Sequence, residues 1–296
     1  MRGIGRGSAA ITIVNALLCG RGAAAAIELH CQAIVELART PPGEIPRRSL
    51  DPECDTPLAR ASLEAGLTAA APGEPLNAHL TVRSEVPWAR GLKSSSAASV
   101  AILDAVGRAW GTVLDPMALA RRSAEVAQTI GLSATGAFDD ALAAAAGGLV
   151  ITDNHARELL GTLEIDPDWR VALWVPPSAH PPSPELGRRF SGQRAAGEQA
   201  TLLALGGEVF RAMEVNSRAV EELMAYPYAP LRRNLLASGA LGVGVSGMGP
   251  AVAAVAPASA IERVARALPS ERGTVLRTRF RAEGEYGPVV GRGVAP

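Results

Sequence analysis

The stretch from Pro87 to Ala97 reads PWARGLKSSSA and separates a strand-like segment from a helical one. Before it, Leu76–Ser84 alternates apolar and polar residues, which predicts a strand. After it, Ala97–Trp110 has apolar residues at helical spacing, which predicts a helix. A glycine-containing loop at the start of a helix brings unpaired backbone N–H groups and the positive end of the helix dipole to one place. The stretch therefore predicts an anion site.

Two kinds of side chain in this loop favour a phosphate ligand. Lys93 is the one lysine in a chain with 29 lysines and arginines, and a compact ammonium suits a phosphate oxygen. Ser94, Ser95 and Ser96 supply hydroxyl donors. The alternative is an ordinary N-capped helix, which needs only one serine. The spacing is not that of a Walker A loop, because the Gly-x4-Gly-Lys-Ser/Thr pattern is missing.

Composition narrows the class of protein. The chain has 296 residues, about two domains of material. It is 48% hydrophobic and 20% charged, enough for a large core. The formal net charge of zero argues against nucleic acid as a partner, because such proteins carry a basic excess.

Cysteine usage and hydropathy predict a cytoplasmic protein. The three cysteines form no CxxC pair, and their odd number does not indicate a disulfide framework. The apolar stretch near the N-terminus is broken by Thr12, Asn15 and the segment Gly20-Arg21-Gly22, which argues against a signal peptide. A charge-free run of about 20 apolar residues, as a membrane span requires, is missing.

The second half of the chain predicts a β-α-α-β-β-α-β order, close to a ferredoxin-like split βαβ unit. We expect a domain boundary near residue 160, which gives domains 1–160 and 161–296. The loop Pro176–Pro184 follows the first strand of this half. The predicted elements are the strands Arg170–Val175, Leu241–Val245, Ala251–Val255 and Thr274–Arg281, and the helical segments Glu198–Met224 and Ala258–Leu268.

One glycine pattern is misleading. Gly242–Gly247 satisfies Gly-x-Gly-x-x-Gly, and Glu262 follows at a suitable separation. In a dinucleotide site this pattern opens a helix, but here a predicted strand, Ala251–Val255, comes next. We therefore interpret the glycines as a turn that allows a close backbone approach.

Asp139 and Asp140 are the candidate general base or metal ligands, because adjacent carboxylates beside a glycine suit either role. The alternative is that they cap a short helix, Ala141–Ala146. The four histidines lie apart in the sequence, so neither a zinc site nor a histidine-based triad is predicted.

Three segments, in order, resemble the motifs of the GHMP kinase superfamily. Pro87–Ala97 resembles its second motif, Pro-x3-Gly-Leu-x-Ser-Ser-x-Ala, which cradles the phosphates of ATP. Ser246–Ala251 resembles its glycine-rich third motif, and Thr12–Ala16 with the glycines after it resembles a degraded first motif. The resemblance implies a two-domain α+β fold, with an N-terminal ribosomal-protein-like βαβ domain that binds ATP and a C-terminal ferredoxin-like domain.

Within the superfamily, the chain is most similar to the archaeal-type shikimate kinase family. The shared segments are Gly-Leu-Lys-Ser-Ser-Ser-Ala (91–97), Thr-Gly-Ala-Phe-Asp-Asp-Ala (135–141), Gly-Gly (147–148), Thr-Asp-Asn (152–154) and Thr-Ile-Val-Asn-Ala (12–16). This resemblance implies a transferase of the shikimate pathway, which uses ATP and Mg²⁺ to phosphorylate the 3-hydroxyl of shikimate on the way to aromatic amino acids.

The resemblance also implies roles for residues. Asp140 lies seven residues before Gly147, where mevalonate kinase has the Asp that orients or deprotonates the acceptor; counting from Thr135 gives Asp139 about as well. Lys93 is expected at the phosphates. The implied ATP-binding residues are Pro87, Trp88, Ala89, Arg90, Gly91, Leu92, Lys93, Ser94, Ser95, Ser96 and Ala97; the implied Mg²⁺ ligands are Ser95, Ser96 and Glu125; and the implied substrate contacts are Asn15, Arg21, Gly247 and Gly249.

Arg21 is the arginine chosen to hold the substrate carboxylate, since a guanidinium binds a carboxylate with two hydrogen bonds. Two rival functions remain at this point. One is another small-molecule GHMP kinase, homoserine kinase first; the Asp pair argues against it, because homoserine kinases usually lack the catalytic Asp. The other is a non-catalytic nucleotide-binding regulator on the same fold. The sequence does not indicate an oligomeric state.

Overall fold

The computed structural model of the chain describes residues 1–178 and 189–284. The described part of the fold contains two β-sheets, each with helices packed against it. The elements of the first part are β1 (Arg2–Val14), α1 (Ala16–Cys19), β2 (Arg21–Arg39), β3 (Arg48–Leu50), α2 (Pro57–Ala70), β4 (Leu76–Ser84), α3 (Ser94–Trp110), α4 (Pro116–Thr129), α5 (Phe138–Ala146), β5 (Leu149–Asp153) and β6 (Glu158–Leu163). Those of the second part are β7 (Trp169–Val175), α6 (Arg194–Leu205), α7 (Val209–Met224), α8 (Ala229–Ala237), β8 (Gly242–Val245), β9 (Val252–Pro257), α9 (Ile261–Arg266) and β10 (Thr274–Arg279).

The long strand β2 organises the first sheet. It pairs antiparallel with β1 along nearly all its length, and its C-terminal half also pairs antiparallel with β4. Its N-terminal end, Arg21–Ala25, pairs with β5, which continues the sheet to β6. The short strand β3 pairs parallel with β4. Because Ala23–Ala26 are completely buried, this end of β2 lies inside the protein, beneath the helices that form the site.

Small residues allow α3 to pack very closely on β1. Gly3, Gly5 and Gly7 alternate along the strand and face the helix backbone at Ala105, Ala101 and Ala97. A Cβ atom on any of these glycines would lie 2.1 Å from the facing carbonyl oxygen. Any side chain there would push the helix away from the sheet. The period of two on the strand and four on the helix therefore matches each glycine to one turn of α3 and sets the register between the two elements.

The second sheet has the order β10-β7-β9-β8, with antiparallel neighbours throughout. This is the order of a ferredoxin-like split βαβ unit, and the α+β, two-domain fold class is confirmed. Gly242–Val245 is a strand followed by a turn and β9, so the Gly-x-Gly-x-x-Gly pattern opens no helix. The two helices of the predicted helical stretch Glu198–Met224 are α6 and α7, which are separated by a turn at Gly206 and Gly207.

Some elements have no counterpart among the predicted ones. β1 ends at Val14, because the Asn15 side chain accepts a hydrogen bond from the Leu17 N–H and begins α1. The short strands β3 and β6 and the helix α8 were not predicted. Of the predicted loop Pro176–Pro184, residues 179–184 lie outside the described residues.

The first sheet extends to Leu163 and the second begins at Trp169, so a boundary at residue 160 would cut through β6. We propose that the two domains meet at residues 164–168. Among the helices of the two described ranges, none has both the length and the apolar character needed to cross a bilayer.

The segment after β10 returns to the first domain. The N–H of Arg281 donates to Ala26, and the Arg281 carbonyl accepts from Gly148. The guanidinium is completely buried and donates to the carbonyls of Ala144 and Ala145 and to the Ser8 hydroxyl. Arg281 therefore caps the C-terminal end of α5, where carbonyl groups have no partners within the helix.

Candidate active site

Two helices begin at one cavity. The 17-residue helix α3 follows Lys93, and α5 follows Ala137. Both preceding residues have left-handed backbone conformations, with φ of 65° and 51°, and neither supplies a side-chain cap. The cavity has a volume of about 580 Å³. Two helix N-termini without side-chain caps at one cavity give it a positive potential, which favours a negatively charged ligand.

The serine loop leads into the first turn of α3 at the edge of the cavity. The side chains of Ser94 and Ser96 are nearly buried, and Ser94, Ser95 and Ser96 all line the cavity. Their N–H groups occupy the first turn of the helix, where no carbonyl lies one turn earlier to accept from them. Within the described chain these three N–H groups have no acceptor, and the residues that carry them line the cavity.

The three motif segments meet beside this helix. The Ser246 hydroxyl donates to the Gly91 carbonyl at 2.7 Å, and the Gly247 N–H donates to the Thr12 hydroxyl at 2.7 Å. Asn15 donates from Nδ2 to the Gly247 carbonyl at 3.0 Å. Gly91 is required here, since its φ is +86° and a Cβ atom would lie 2.0 Å from the Ser246 carbonyl oxygen. These contacts hold the turn at Ser246–Gly249 against the phosphate loop.

Lys93 and Asp140 form a buried ion pair across the mouths of the two helices. The Lys93 Nζ atom lies 2.9 Å from Asp140 Oδ1 and donates to Oδ2 at 3.1 Å. Burial away from water and the neighbouring Asp139 charge raise the pKa of Asp140, Lys93 opposes them, and the result is a pKa of about 7. A carboxylate with such a pKa can take a proton from a hydroxyl near neutral pH.

Asp139 is also buried, but its side chain contacts different residues from that of Asp140. Its Oδ1 accepts from Asn154 Nδ2 at 2.8 Å, and its backbone N–H donates to Asn154 Oδ1 at 3.3 Å. Its Oδ2 lies against Gly22, where a Cβ atom would be 2.4 Å away. Within the described residues no cation lies within ion-pair distance of Asp139. The two aspartates are therefore not equivalent, and only Asp140 touches the lysine.

Other predicted residues divide between the cavity and its surroundings. The cavity lining includes Asn15, Gly247 and Gly249 of the predicted substrate contacts, and Ala89, Gly91 and Lys93–Ser96 of the predicted phosphate loop. Leu92 and Ala97 are completely buried and support the loop from the core. Pro87, Trp88 and Arg90 do not line the cavity; the Trp88 side chain is half exposed, and Arg90 donates to the Pro177 carbonyl.

Two predicted residues lie away from the cavity. The Arg21 side chain is about half exposed, and its Nε atom lies 3.8 Å from Oδ2 of its ion-pair partner Asp153. Glu125 accepts from Arg122 and Arg157, each at 3.0 Å, on the outer face of α4. Neither residue lines the cavity, and none of the described lining residues is an arginine. We therefore propose neither Arg21 as a substrate contact nor Glu125 as a metal ligand.

Sequence reasoning missed one wall of the cavity and one supporting residue. The wall is formed by α2, α4 and the loop after α4, and its members are Leu58, Ser123, Ala127, Gln128, Gly131, Leu132, Ser133 and Ala134. Amphipathic helices give no motif that marks such a wall. The supporting residue is Asn154, in the Thr-Asp-Asn segment; its complete burial and its contacts to Asp139 could not be read from the sequence.

The arrangement suits phosphoryl transfer. Free N–H groups at α3 can hold phosphate oxygens, a cation stands beside them, and a carboxylate with a raised pKa touches that cation. A transfer of this type needs positioning and charge stabilisation more than covalent chemistry by the protein. Two family models match the chain: the GHMP kinases N terminal domain over residues 59–148, and the GHMP kinases C terminal domain over residues 201–274.

The chain belongs to the GHMP kinase family. GHMP kinases are ATP-dependent small-molecule kinases, so the chain is an enzyme of that class with ATP as a substrate. Among curated relatives, a shikimate kinase of Pyrococcus abyssi is 36% identical over 259 residues, which cover 86% of this chain and 92% of the relative. A shikimate kinase of Halobacterium salinarum is 35% identical over 283 residues, which cover 93% of this chain and 96% of the relative.

Solved GHMP kinase structures share the fold. A homoserine kinase from Cytophaga hutchinsonii superimposes with a TM-score of 0.71 at 16% identity, covering 94% of this chain and 95% of the other. The Methanococcus jannaschii mevalonate kinase gives a TM-score of 0.71 at 14% identity, covering 94% and 98%. At these identities the likeness concerns the fold alone, and the choice of acceptor has to be argued from elsewhere.

Proposed function

We propose that the chain transfers the γ-phosphoryl group of ATP to the 3-hydroxyl of shikimate, giving 3-phosphoshikimate and ADP. The observation that carries the proposal is the 36% identity to a curated shikimate kinase over most of both chains. The Lys93–Asp140 pair supports it, because a buried base beside a cation suits an alcohol acceptor.

The proposed mechanism uses both helix N-termini. The N–H groups of Ser94–Ser96 bind the phosphate oxygens, and Lys93 stands between these oxygens and Asp140. Asp140 accepts the proton of the 3-hydroxyl as the hydroxyl oxygen bonds to the γ-phosphorus. The bond from that phosphorus to the bridging oxygen of ADP breaks, and ADP leaves with the electron pair. Lys93 offsets the negative charge on the transferring group.

Mg²⁺ fits this site as an ion carried mainly by the nucleotide. Within the described residues no group of three or more histidines, cysteines or carboxylates could hold a metal ion. The carboxylates that line the cavity are Asp139, held by Asn154, and Asp140, held by Lys93. Mg²⁺ commonly binds through substrate phosphates with few protein ligands. We propose that Ser95 and Ser96 supply hydroxyl ligands and that Mg²⁺ neutralises phosphate charge when bound.

A coupled ADP-release assay tests the proposal. Purified protein is supplied with ATP and Mg²⁺ and with shikimate, homoserine or mevalonate in separate reactions, and phosphorus NMR locates the phosphate on the product. We expect turnover with shikimate and phosphate on its 3-oxygen. Turnover with homoserine but not shikimate would refute the substrate assignment. Binding of ATP without turnover of any acceptor would favour the regulator.

A further inference from the structure

Asn154 lies directly after β5 and is completely buried, and its side chain contacts both Thr152 of β5 and Asp139 in the first turn of α5. Its Oδ1 accepts from the Thr152 hydroxyl at 2.7 Å and from the Asp139 N–H at 3.3 Å. These two donors fix the orientation of the amide, because Oδ1 has to face them. Its Nδ2 consequently donates to Asp139 Oδ1 at 2.8 Å and faces the Thr135 hydroxyl at 3.5 Å.

The amide of Asn154 holds one side-chain oxygen of Asp139, Oδ1, by a hydrogen bond of 2.8 Å. The opposite oxygen, Oδ2, is held by shape, since the backbone of Gly22 leaves no room for a Cβ atom between them. Neutral groups, the Asn154 amide and the Gly22 backbone, therefore contact the two side-chain oxygens of Asp139. Because Asp139 and Asp140 are consecutive residues in the first turn of α5, holding one also holds the backbone of the other.

The charges acting on Asp140 come from two places. Lys93 faces it from the loop before α3, and Asp139 adjoins it on α5. The neighbouring surfaces contribute neutral groups: Gly22 from β2, Asn154 after β5, and the glycine turn at 247–249. Asp139 opposes the ionisation of Asp140 and Lys93 favours it. Asn154 therefore acts on Asp140 through the position and charge of Asp139.

We propose that Asn154 is a positioning residue of the phosphoryl transfer, which through Asp139 holds the carboxylate of Asp140 in place to receive the acceptor's proton. This inference rests on the proposed function, since it assumes that Asp140 is the base. The residue types fit the role: an amide both donates and accepts, so it can bind the N–H and the carboxylate of Asp139 at once. Aspartate or leucine of similar size could not do both.

The test compares Asn154→Ala and Asp139→Asn with wild type. We expect kcat for shikimate to fall about 10- to 100-fold in Asn154→Ala, with the KM for ATP changed less than about threefold, because the phosphate loop is untouched. The acidic limb of the kcat profile should move to lower pH in both variants by roughly one unit, since Asp139→Asn removes the charge beside Asp140 and Asn154→Ala removes the contact that holds Asp139 next to it. Asn77→Asp is the matched control, because Asn77 accepts hydrogen bonds from Thr40 and Arg47 far from the cavity.

A second measurement does not depend on the acceptor. Carbon-13 labelling of aspartate side chains allows the Asp140 carboxyl to be titrated by NMR, with its signal assigned by its loss in Asp140→Asn. We expect the titration midpoint of Asp140 to fall in Asn154→Ala and Asp139→Asn and to stay in place in Asn77→Asp. If the wild-type enzyme does not phosphorylate shikimate, the proposed function is refuted. The titration still tests whether Asn154 acts on Asp140. An unchanged midpoint in folded Asn154→Ala and Asp139→Asn would overturn the inference.

Discussion

Replacing Lys93 with methionine removes the cation while keeping a side chain of similar length. Lys93 Nζ lies 2.9 Å from Asp140 Oδ1. At that distance two unit charges attract by roughly 6 kcal/mol in a medium with an effective dielectric constant of about 20. Losing even a quarter of this attraction would raise the pKa of Asp140 by about one unit. Since the pKa of Asp140 is already raised to about 7 in the presence of Lys93, the variant should hold Asp140 protonated at neutral pH.

We expect kcat of Lys93→Met at pH 7 to fall about 1,000-fold, because both the ionised base and the phosphate-facing cation are lost. Between pH 7 and 9 the residual rate should rise as Asp140 ionises, whereas the wild-type rate should level off above its limb near pH 7. Lys93→Arg keeps the charge, but a planar, forked guanidinium is larger than the compact ammonium and should not fit the same position beside Asp140. For that variant kcat/KM should fall about 10- to 100-fold.

The assay is ADP release with saturating ATP and Mg²⁺ across pH 6–9, with thermal unfolding measured on each variant. Arg108→Met is the matched control, since Arg108 also pairs with a buried acid, Asp104, at 2.8 Å. It lies 15 residues further along α3 and so about 22 Å from Lys93. The control should keep kcat within about twofold. A folded Lys93→Met enzyme with kcat within threefold of wild type, or with an unshifted acidic limb, would refute the reasoning.

Four further changes have expected outcomes. Asp140→Asn should lower kcat about 100- to 10,000-fold with the Kd for ATP, measured by calorimetry, nearly unchanged; a kcat close to wild type would remove Asp140 from the mechanism. Gly91→Ala should destabilise the protein in urea unfolding by about 3 kcal/mol, because of the 2.0 Å approach to Ser246, whereas Gly111→Ala, with similar φ but open space, should cost only about 1 kcal/mol. Arg281→Ala should cost about 3 kcal/mol in the same assay, against less than about 0.5 kcal/mol for the exposed Arg272→Ala. Glu125→Gln should leave the Mg²⁺ dependence of kcat unchanged, since Arg122 and Arg157 hold that carboxylate outside the cavity; a large rise in the Mg²⁺ requirement would return Glu125 to the metal site.

The parts of the fold that depend on local pattern could be predicted from the sequence. Leu76–Ser84 forms a strand with the predicted bounds, because its alternation matches one buried face. The helix predicted from Ala97 begins at Ser94, since the left-handed Lys93 allows the serines themselves to form the first turn. Neither β3 nor β6 was predicted, because short strands at the edge of a sheet form by pairing with a neighbour and show little pattern of their own.

The candidate site was predictable in its residue types and not in its geometry. The serine loop and the Asp pair were evident from the sequence. Which aspartate meets Lys93 depends on how α5 turns relative to α3, and the structure brings Asp140 to the lysine and Asp139 to Asn154. Arg21 was chosen by chemical type, but on β2 it pairs with Asp153 of the adjoining β5. Contacts of this kind depend on how segments that are distant in the chain pack together, and a single sequence does not show that packing.

The buried Arg281 has a consequence for how the two halves of the chain can be treated. The helix that carries Asp139 and Asp140 is anchored at its far end by a residue 137 positions further along the chain than Ala144. The first half, separated at residues 164–168, would keep the phosphate loop and both aspartates but lose that anchor. Its α5 would then fray from the C-terminal end. The two halves are therefore not interchangeable modules: a hybrid that joins this first domain to another kinase's second domain should need an arginine returned to the same place.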